Sequence, residues 1–427
     1  MRFSVGSRFR SQRPRNVSHL ATKASLLLAL TALVFLMAWN RDISLLYAMF
    51  ALLTAVLLIS LWMPSAALKG LSAVRTLSAV VTEGDDIELA IRVSNPSWRR
   101  RLMVEVEDSV PAAEPTARRP SAFLATLGAR ETRHIPVRVS AYKRGAYTVG
   151  PLVIRSAAPL GLLTARRQLP GTDGSVIVYP QTFVIASLPL MAARSTAITG
   201  FEALARAGGS DEIFGARDYR SGDMLRHVHW PATARRGQLV VKEFEFRAST
   251  DVTLMMDLHA GSFVGREKDS TLEYAVTVAA SIARYALPRG HSVGLLGFGA
   301  RRHMVPSGRG LRHLTPILHE LALVEADGAL PYDHALAEAA GLLQDGSTIV
   351  LFVTIDDNDK DPTTDILDII GAKRLCPLTV ILDARSFRDR DRSPRLRSRP
   401  LVRRLLAAGA PTYVLAKGDD LKTVFLT

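Results

Sequence analysis

The densest gathering of side chains able to do chemistry lies between Arg217 and Glu243, which reads RDYRSGDMLRHVHWPATARRGQLVVKE. Asp223 and His229 could together move a proton, but no activated nucleophile stands at a recognisable spacing from either. Asp223 and Arg226, three positions apart, form a short-range ion pair if this stretch is helical or tightly turned. Gly222 permits backbone conformations closed to other residues, and Trp230 offers a large apolar surface with a single donor. A clasp between domains explains these features most simply; a partner-docking surface comes next, and catalysis last.

The remaining candidates are sparser. Asp257 closes the apolar run VTLMMD, and Asp356 and Asp357 follow VLFVT. If both runs are strands of one parallel sheet, these carboxylates share its carboxyl edge, where α/β folds bind ligands. GLLGFG at Gly294 to Gly299 has glycines but lacks the Lys-Ser/Thr continuation of a Walker loop and the spacing of a dinucleotide fingerprint. The chain is therefore not expected to be an ATPase, and no cofactor is expected. Cys376 is the single cysteine, which excludes an internal disulfide and fits a reducing compartment.

The elements that must position these residues follow from hydrophobic period. After Thr250, apolar runs alternate with helical patterns: VTLMMD, HSVGLLGFG, STIVLFVT, LTVILD and PTYVLA are strands. Helices are predicted at Ser270 to Ala286, Leu311 to Leu323, Asp333 to Leu343, Thr364 to Arg374 and Leu401 to Ala408. This order implies a mainly parallel sheet with helices on both faces. From Leu71 to Pro180 the rhythm is shorter. ELAIRVSN at Glu88 and HIPVRVS at His134 alternate with period two between turn residues, which predicts a β-sandwich of roughly seven strands in two sheets.

Ahead of both lies a membrane signal. Leu20 to Trp39 and Ile43 to Met63 are apolar, broken only by Lys23 near one end, and each gives roughly 30 Å of helix, enough to cross a hydrocarbon core. Asn40, Arg41 and Asp42 alone separate them, so the chain turns back as a transmembrane hairpin. Arg2, Arg8, Arg10, Arg13, Arg15 and Lys23 precede it without an acidic residue, which predicts both termini in the cytoplasm. No small-x-small cleavage site follows the first run, which argues against a signal peptide. Arg385 to Arg404 holds nine arginines, and the formal charge is +14. In a tethered protein this basic loop meets anionic lipid before nucleic acid, so membrane lipids are expected partners and nucleic acid is not. The expected organisation is a basic arm (1–19), two transmembrane helices (20–63), a β-sandwich (64–182), a connecting segment (183–250) and an α/β domain (251–427).

Arg217, Tyr219, Gly222, Asp223, Arg226, His229, Trp230, Thr233, Ala234 and Arg235 resemble the signature of the bacterial family called domain of unknown function 58. The resemblance extends to the two-span anchor, to RGAYTVGP at Arg144, to PLGLL at Pro159 and to the VYP ending at Pro180. Ala158 departs from it, standing where the family commonly has aspartate. The resemblance implies a von Willebrand factor A-like (Rossmann-type) α/β domain after an Ig-like sandwich. It also implies association with MoxR-type AAA+ ATPases, often beside transglutaminase-like membrane proteins. Standard von Willebrand A domains hold a metal on Asp-x-Ser-x-Ser after the first strand; the matching positions here are Asp257, His259 and Gly261. Both hydroxyls are gone, Ser262 is one residue out of register, and Asp356 stands where the late acidic ligand would be. A degenerate, metal-free site is expected.

These readings together predict a bacterial inner-membrane protein, multi-pass, acting as an adaptor that docks protein partners in an assembly or envelope-related process. A hydrolase using Asp223 and His229, and a lipid-binding structural protein, are the alternatives.

Overall fold

The computed structural model describes residues 17–190, 213–220, 225, 228–244, 250–356, 363–388, 400–407 and 409–426. Two compact units divide between Gln181 and Thr182.

The first unit opens with helices α1 (Val17–Arg41) and α2 (Ser44–Leu68), both long and apolar enough to cross a membrane. Their apolar side chains are largely exposed, Leu52 by 66% and Leu58 by 61%, as lipid-facing helices require and the core helices of a soluble domain do not. α2 runs past Met63 through Pro64 to Leu68, and Leu68 and Leu71 are buried in the core of the β-rich region that follows. The anchor thus passes into the β-rich region without a linker.

That region has ten strands rather than seven: β1 (Ser72–Leu77), β2 (Val80–Thr82), β3 (Asp86–Ser94), β4 (Arg101–Glu107), β5 (Ser121–Leu127), β6 (Thr132–Ser140), β7 (Gly145–Val149), β8 (Val153–Ser156), β9 (Ala165–Gln168) and β10 (Gly174–Tyr179). They form three sheets, ordered β1-β3-β6, β2-β10-β7 and β5-β4-β8-β9, not two. The extra strands are the short ones. β2 has three residues and β9 reads ARRQ, too short or too polar for alternation to show. Where alternation is clean it is borne out: Ile87, Leu89, Ile91 and Val93 of β3 and Ile135, Val137 and Val139 of β6 point into one shared core. Arg75 and Asp108 form an ion pair at 2.6 Å inside this region, both side chains almost fully buried. Arg75 also donates to the carbonyls of Val149 and Thr172, at 2.7 and 2.5 Å, so a buried charge is met by several acceptors.

The second unit is built on a six-stranded sheet: β13 (Asp251–Met256), β16 (Ser292–Phe298), β17 (Arg302–Gly308), β18 (Thr348–Ile355), β19 (Cys376–Asp383) and β20 (Thr412–Leu415), in the order β17-β16-β13-β18-β19-β20. All neighbours are parallel except β16 and β17. β17 is a strand the sequence pattern does not predict. RHMVPSG carries Arg302, His303 and Pro306, which an edge strand tolerates and a central one does not. β16 and β18 are buried on both faces, as continuous apolar runs in a covered parallel sheet should be. Helices Thr271–Ala286, Leu314–Leu323, Tyr332–Ala339, Thr363–Ala372 and Pro400–Ala407 fall within a few residues of their predicted spans. Ser270 caps the first of them, its hydroxyl accepting from the Glu273 N–H.

In the chain ahead of β13, β11 (Ile213–Asp218) and β12 (Val240–Phe244) pair as an antiparallel ribbon, with a short helix, Trp230–Arg236, in the connection between them. A two-residue ribbon β14 (Gly265–Arg266) and β15 (Asp269–Ser270) precedes helix Thr271–Ala286.

Candidate functional site at the carboxyl edge of the parallel sheet

β13 lies between β16 and β18, so the direction in which strands are added reverses beside it, and the crevice beyond its carboxyl end is where such a sheet accepts ligands. Asp257 is the first residue past β13. Its Oδ1 accepts the His259 N–H at 3.1 Å, and the Ser262 hydroxyl bonds to the same carboxylate. A 3-10 turn over Ala260–Ser262 brings this out-of-register serine back to the aspartate, a hydroxyl that spacing alone does not assign. Burial nevertheless dominates and pushes the Asp257 carboxyl up to about 6. Tyr332 lies beneath, donating to the Met255 carbonyl at 3.0 Å; burial and then the nearby Asp257 charge hold its phenol well above the usual range.

The loop after Asp257 is fixed by backbone bonds to Gly328: the Ala260 N–H donates to the Gly328 carbonyl, and the Gly328 N–H donates to the Leu258 carbonyl, each at 2.9 Å. A Cβ on Gly328 would stand 2.3 Å from the Phe298 carbonyl oxygen, so only glycine permits this approach. The space enclosed among Asp257, Ser262, Thr271, Phe352 and Thr354 is about 10 Å³. That is room for about one water, not for an organic substrate.

Asp356, at the end of β18, is ion-paired to Arg388. Its charge is already matched by a guanidinium, which competes with any cation. A Cβ at Gly261 would stand 2.5 Å from His259 Cε1, so the imidazole occupies the place a second hydroxyl would need. Among the described residues no three His, Cys, Asp or Glu side chains gather as a metal-binding group. The oxygens around Asp257 are one carboxyl of raised pKa and the hydroxyls of Ser262, Thr271 and Thr354, a single carboxylate where a hard divalent cation favours several charged oxygens already arranged.

The signature segment makes a second, separate arrangement. His229 is the N-cap of helix Trp230–Arg236, its Nδ1 accepting the Ala232 N–H at 3.1 Å, and its own N–H donates to the Val240 carbonyl at 2.8 Å. Thr233 accepts the Val240 N–H on its hydroxyl at 3.0 Å, and Gly237 ends the helix at φ 69°. The Tyr219 N–H donates to the Leu239 carbonyl at 2.8 Å. His229 and Thr233 therefore tie the helix to β12, and Tyr219 joins the two sides of the ribbon. Arg235 is exposed in the last turn of that helix, and Arg217 lies on β11. Gly222, Asp223 and Arg226 lie outside the described residues, as do Asp357 and most of the arginine-rich stretch. Leu225, Trp230 and Leu239 are exposed by 62%, 61% and 39%. Cys376 is half-buried at the start of β19, its thiol pushed up by burial and so less nucleophilic.

Comparison with known proteins bears on these same residues. Residues 215–375 match the family model described as protein of unknown function DUF58. The uncharacterized protein YeaD of Bacillus subtilis (strain 168) is 33% identical over 125 residues, which is 29% of this chain and 29% of that protein. Among solved structures, the CARDB domain of the PF1109 protein from Pyrococcus furiosus is similar over 25% of this chain and 86% of that chain, at 13% identity and a TM-score of 0.18. The Pseudomonas fluorescens alkylpurine DNA glycosylase AlkC is similar over 39% of this chain and 48% of that chain, at 14% identity and a TM-score of 0.16. Scores this low carry no argument about fold or activity. The family model covers both the ribbon with its capped helix and the strands that bear Asp257 and Asp356, so the likeness to DUF58 rests on residues 215–375 of the chain.

Proposed function

We propose that this chain is a membrane-anchored adaptor that docks a protein partner through the ribbon and helix of its signature segment. The observation that carries the reading is the exposure of Trp230, with Leu225 and Leu239 exposed on either side of it in sequence, on a segment where Tyr219, His229 and Thr233 are engaged in local hydrogen bonds. Large apolar side chains held in solvent by a rigid scaffold are the usual anchors of protein interfaces. His229 is engaged through Nδ1 as a helix cap, a structural role that accounts for the residue without catalysis.

The α/β unit is best read as von Willebrand factor A-like. Numbered within the sheet, its strands run 3-2-1-4-5-6 with the third antiparallel, an order that supports a Rossmann-type assignment. Three sheets around one core support an Ig-like reading of the β-rich region. The family resemblance supplies the partner class, a MoxR-type AAA+ ATPase, with a transglutaminase-like membrane protein as a further component. With α1 and α2 in a bacterial inner membrane and both termini cytoplasmic, the docking segment faces a cytoplasmic ATPase. Its docking does not require a divalent cation at Asp257. Affinity purification of the full chain from its native membranes, followed by mass spectrometry, tests this: a MoxR-type ATPase should be enriched with the wild-type chain and depleted with Trp230→Ala.

A further inference from the structure

The end of the β-rich region that receives α2 carries a collar of basic side chains, separate from the arginine-rich stretch near the carboxyl terminus. Arg101 at the start of β4 donates to the Ala66 carbonyl at 2.5 Å and the Lys69 carbonyl at 2.7 Å, and Arg167 of β9 donates to the Leu68 carbonyl at 3.2 Å. These arginines cap the last carbonyls of a helix that carries no charge from Ser44 to Leu68, where cations complement the helix dipole. The 25-residue span is longer than a hydrocarbon core about 30 Å thick requires, and Lys69 is the first charge after it, so the Ala66 to Lys69 carbonyls lie where the helix leaves the core for the headgroups.

Around these contacts Lys69, Arg99, Arg100, Arg166 and Arg167 are exposed, and among the described residues none of them pairs with a carboxylate. Trp98 is 73% exposed, with the Arg99 guanidinium 4.7 Å from its ring centre. Buried Asn95 holds this loop in shape, donating to the Arg99 and Gly128 carbonyls at 2.9 and 2.7 Å while accepting the Ser97 N–H. The β8–β9 connection reaches the same end, because Ser156 lies opposite Val104 and bonds the Leu102 carbonyl, and it presents Leu160 at 58% exposure. An aromatic and an aliphatic tip flanked by unpaired cations, fixed at headgroup depth, match an anionic bilayer surface.

We propose that this collar is a binding surface for anionic phospholipid headgroups of the bilayer that α2 crosses, with Trp98 and Leu160 entering the interface. It rests on the membrane-anchored reading. It gives the β-rich region a function of its own: it is held flat against the membrane by lipid charge, not merely carried there.

The test uses the full chain in nanodiscs of phosphatidylcholine alone or mixed equally with phosphatidylglycerol, with hydrogen exchange followed in segments 96–101 and 160–168. Each arginine near an anionic surface contributes roughly a fivefold change in affinity, so exchange should slow severalfold only in the anionic discs. The triple variant Arg99→Glu, Arg100→Glu, Arg166→Glu should remove that difference while the chain still resists alkaline carbonate extraction. Equal exchange in both lipids, or a difference that survives the triple change, overturns the collar while leaving the anchor intact. Release of the wild-type chain by carbonate overturns the anchor and the collar together.

Discussion

Asp257→Asn isolates what burial does at the sheet edge. The substitution keeps an oxygen for the His259 N–H and removes the charge. In the wild type the carboxyl rises from 3.8 when free to about 6 when folded, chiefly by burial. A folded pKa above the unfolded one means that the native state binds more protons over the window between them. The contribution is fully present below about pH 4 and is lost as pH rises through about 6. Two pKa units correspond to about 3 kcal/mol at most. The wild-type α/β unit should therefore lose up to about 3 kcal/mol relative to Asp257→Asn between pH 4 and 7, and the two should converge in acid. Hydrogen exchange in β13 and β18 of the full chain in detergent, at each pH, measures the difference. Identical pH dependence in both proteins would refute the burial argument. Stabilisation of the wild type by micromolar magnesium would instead show that a cation satisfies the carboxylate, against the expectation that no site tighter than roughly millimolar exists.

Gly261→Ser should cost under about 1 kcal/mol, because Gly261 is exposed and the His259 ring, which its Cβ would meet at 2.5 Å, can turn aside, and the double change with His259→Ser should recover that loss; thermal unfolding of the single and double variants checks the coupling. Arg75→Met strands Asp108 in the first unit and should cost about 3–5 kcal/mol, with a smaller loss when Asp108→Leu accompanies it, read from urea midpoints. A reporter fused after Thr427 should be active only if it is a cytoplasmic one, and periplasmic phosphatase activity from that fusion would reject the topology.

The legible parts of the fold are those where burial imposes a period. β3 and β6 announce themselves because one face is in the core and the other in water, and β16 and β18 because both faces are covered. β9 is illegible because ARRQ is an edge strand with little side-chain burial, and β17 because one of its alternating buried positions is His303, so RHMVPSG shows no apolar period. The run of α2 into the β core was hidden because Pro64 reads as a stop, although the helix continues through it to Leu68. At the site, Asp257 and Asp356 could be placed from strand ends alone. The return of Ser262 needed a 3-10 turn, and the Asp356–Arg388 pair joins residues far apart in sequence, so neither leaves a local signal. The helix-capping role of His229 could have been read from the Pro231 that follows it, since proline favours the first turn of a helix.

The adaptor claim is tested most directly by titrating the full chain, in nanodiscs, with the purified MoxR-type ATPase of the same organism. The account predicts saturable binding that weakens at least roughly tenfold with Trp230→Ala, as loss of an interface anchor should, and is unchanged by Asp257→Asn. Absence of saturable binding, or binding indifferent to Trp230, would contradict it.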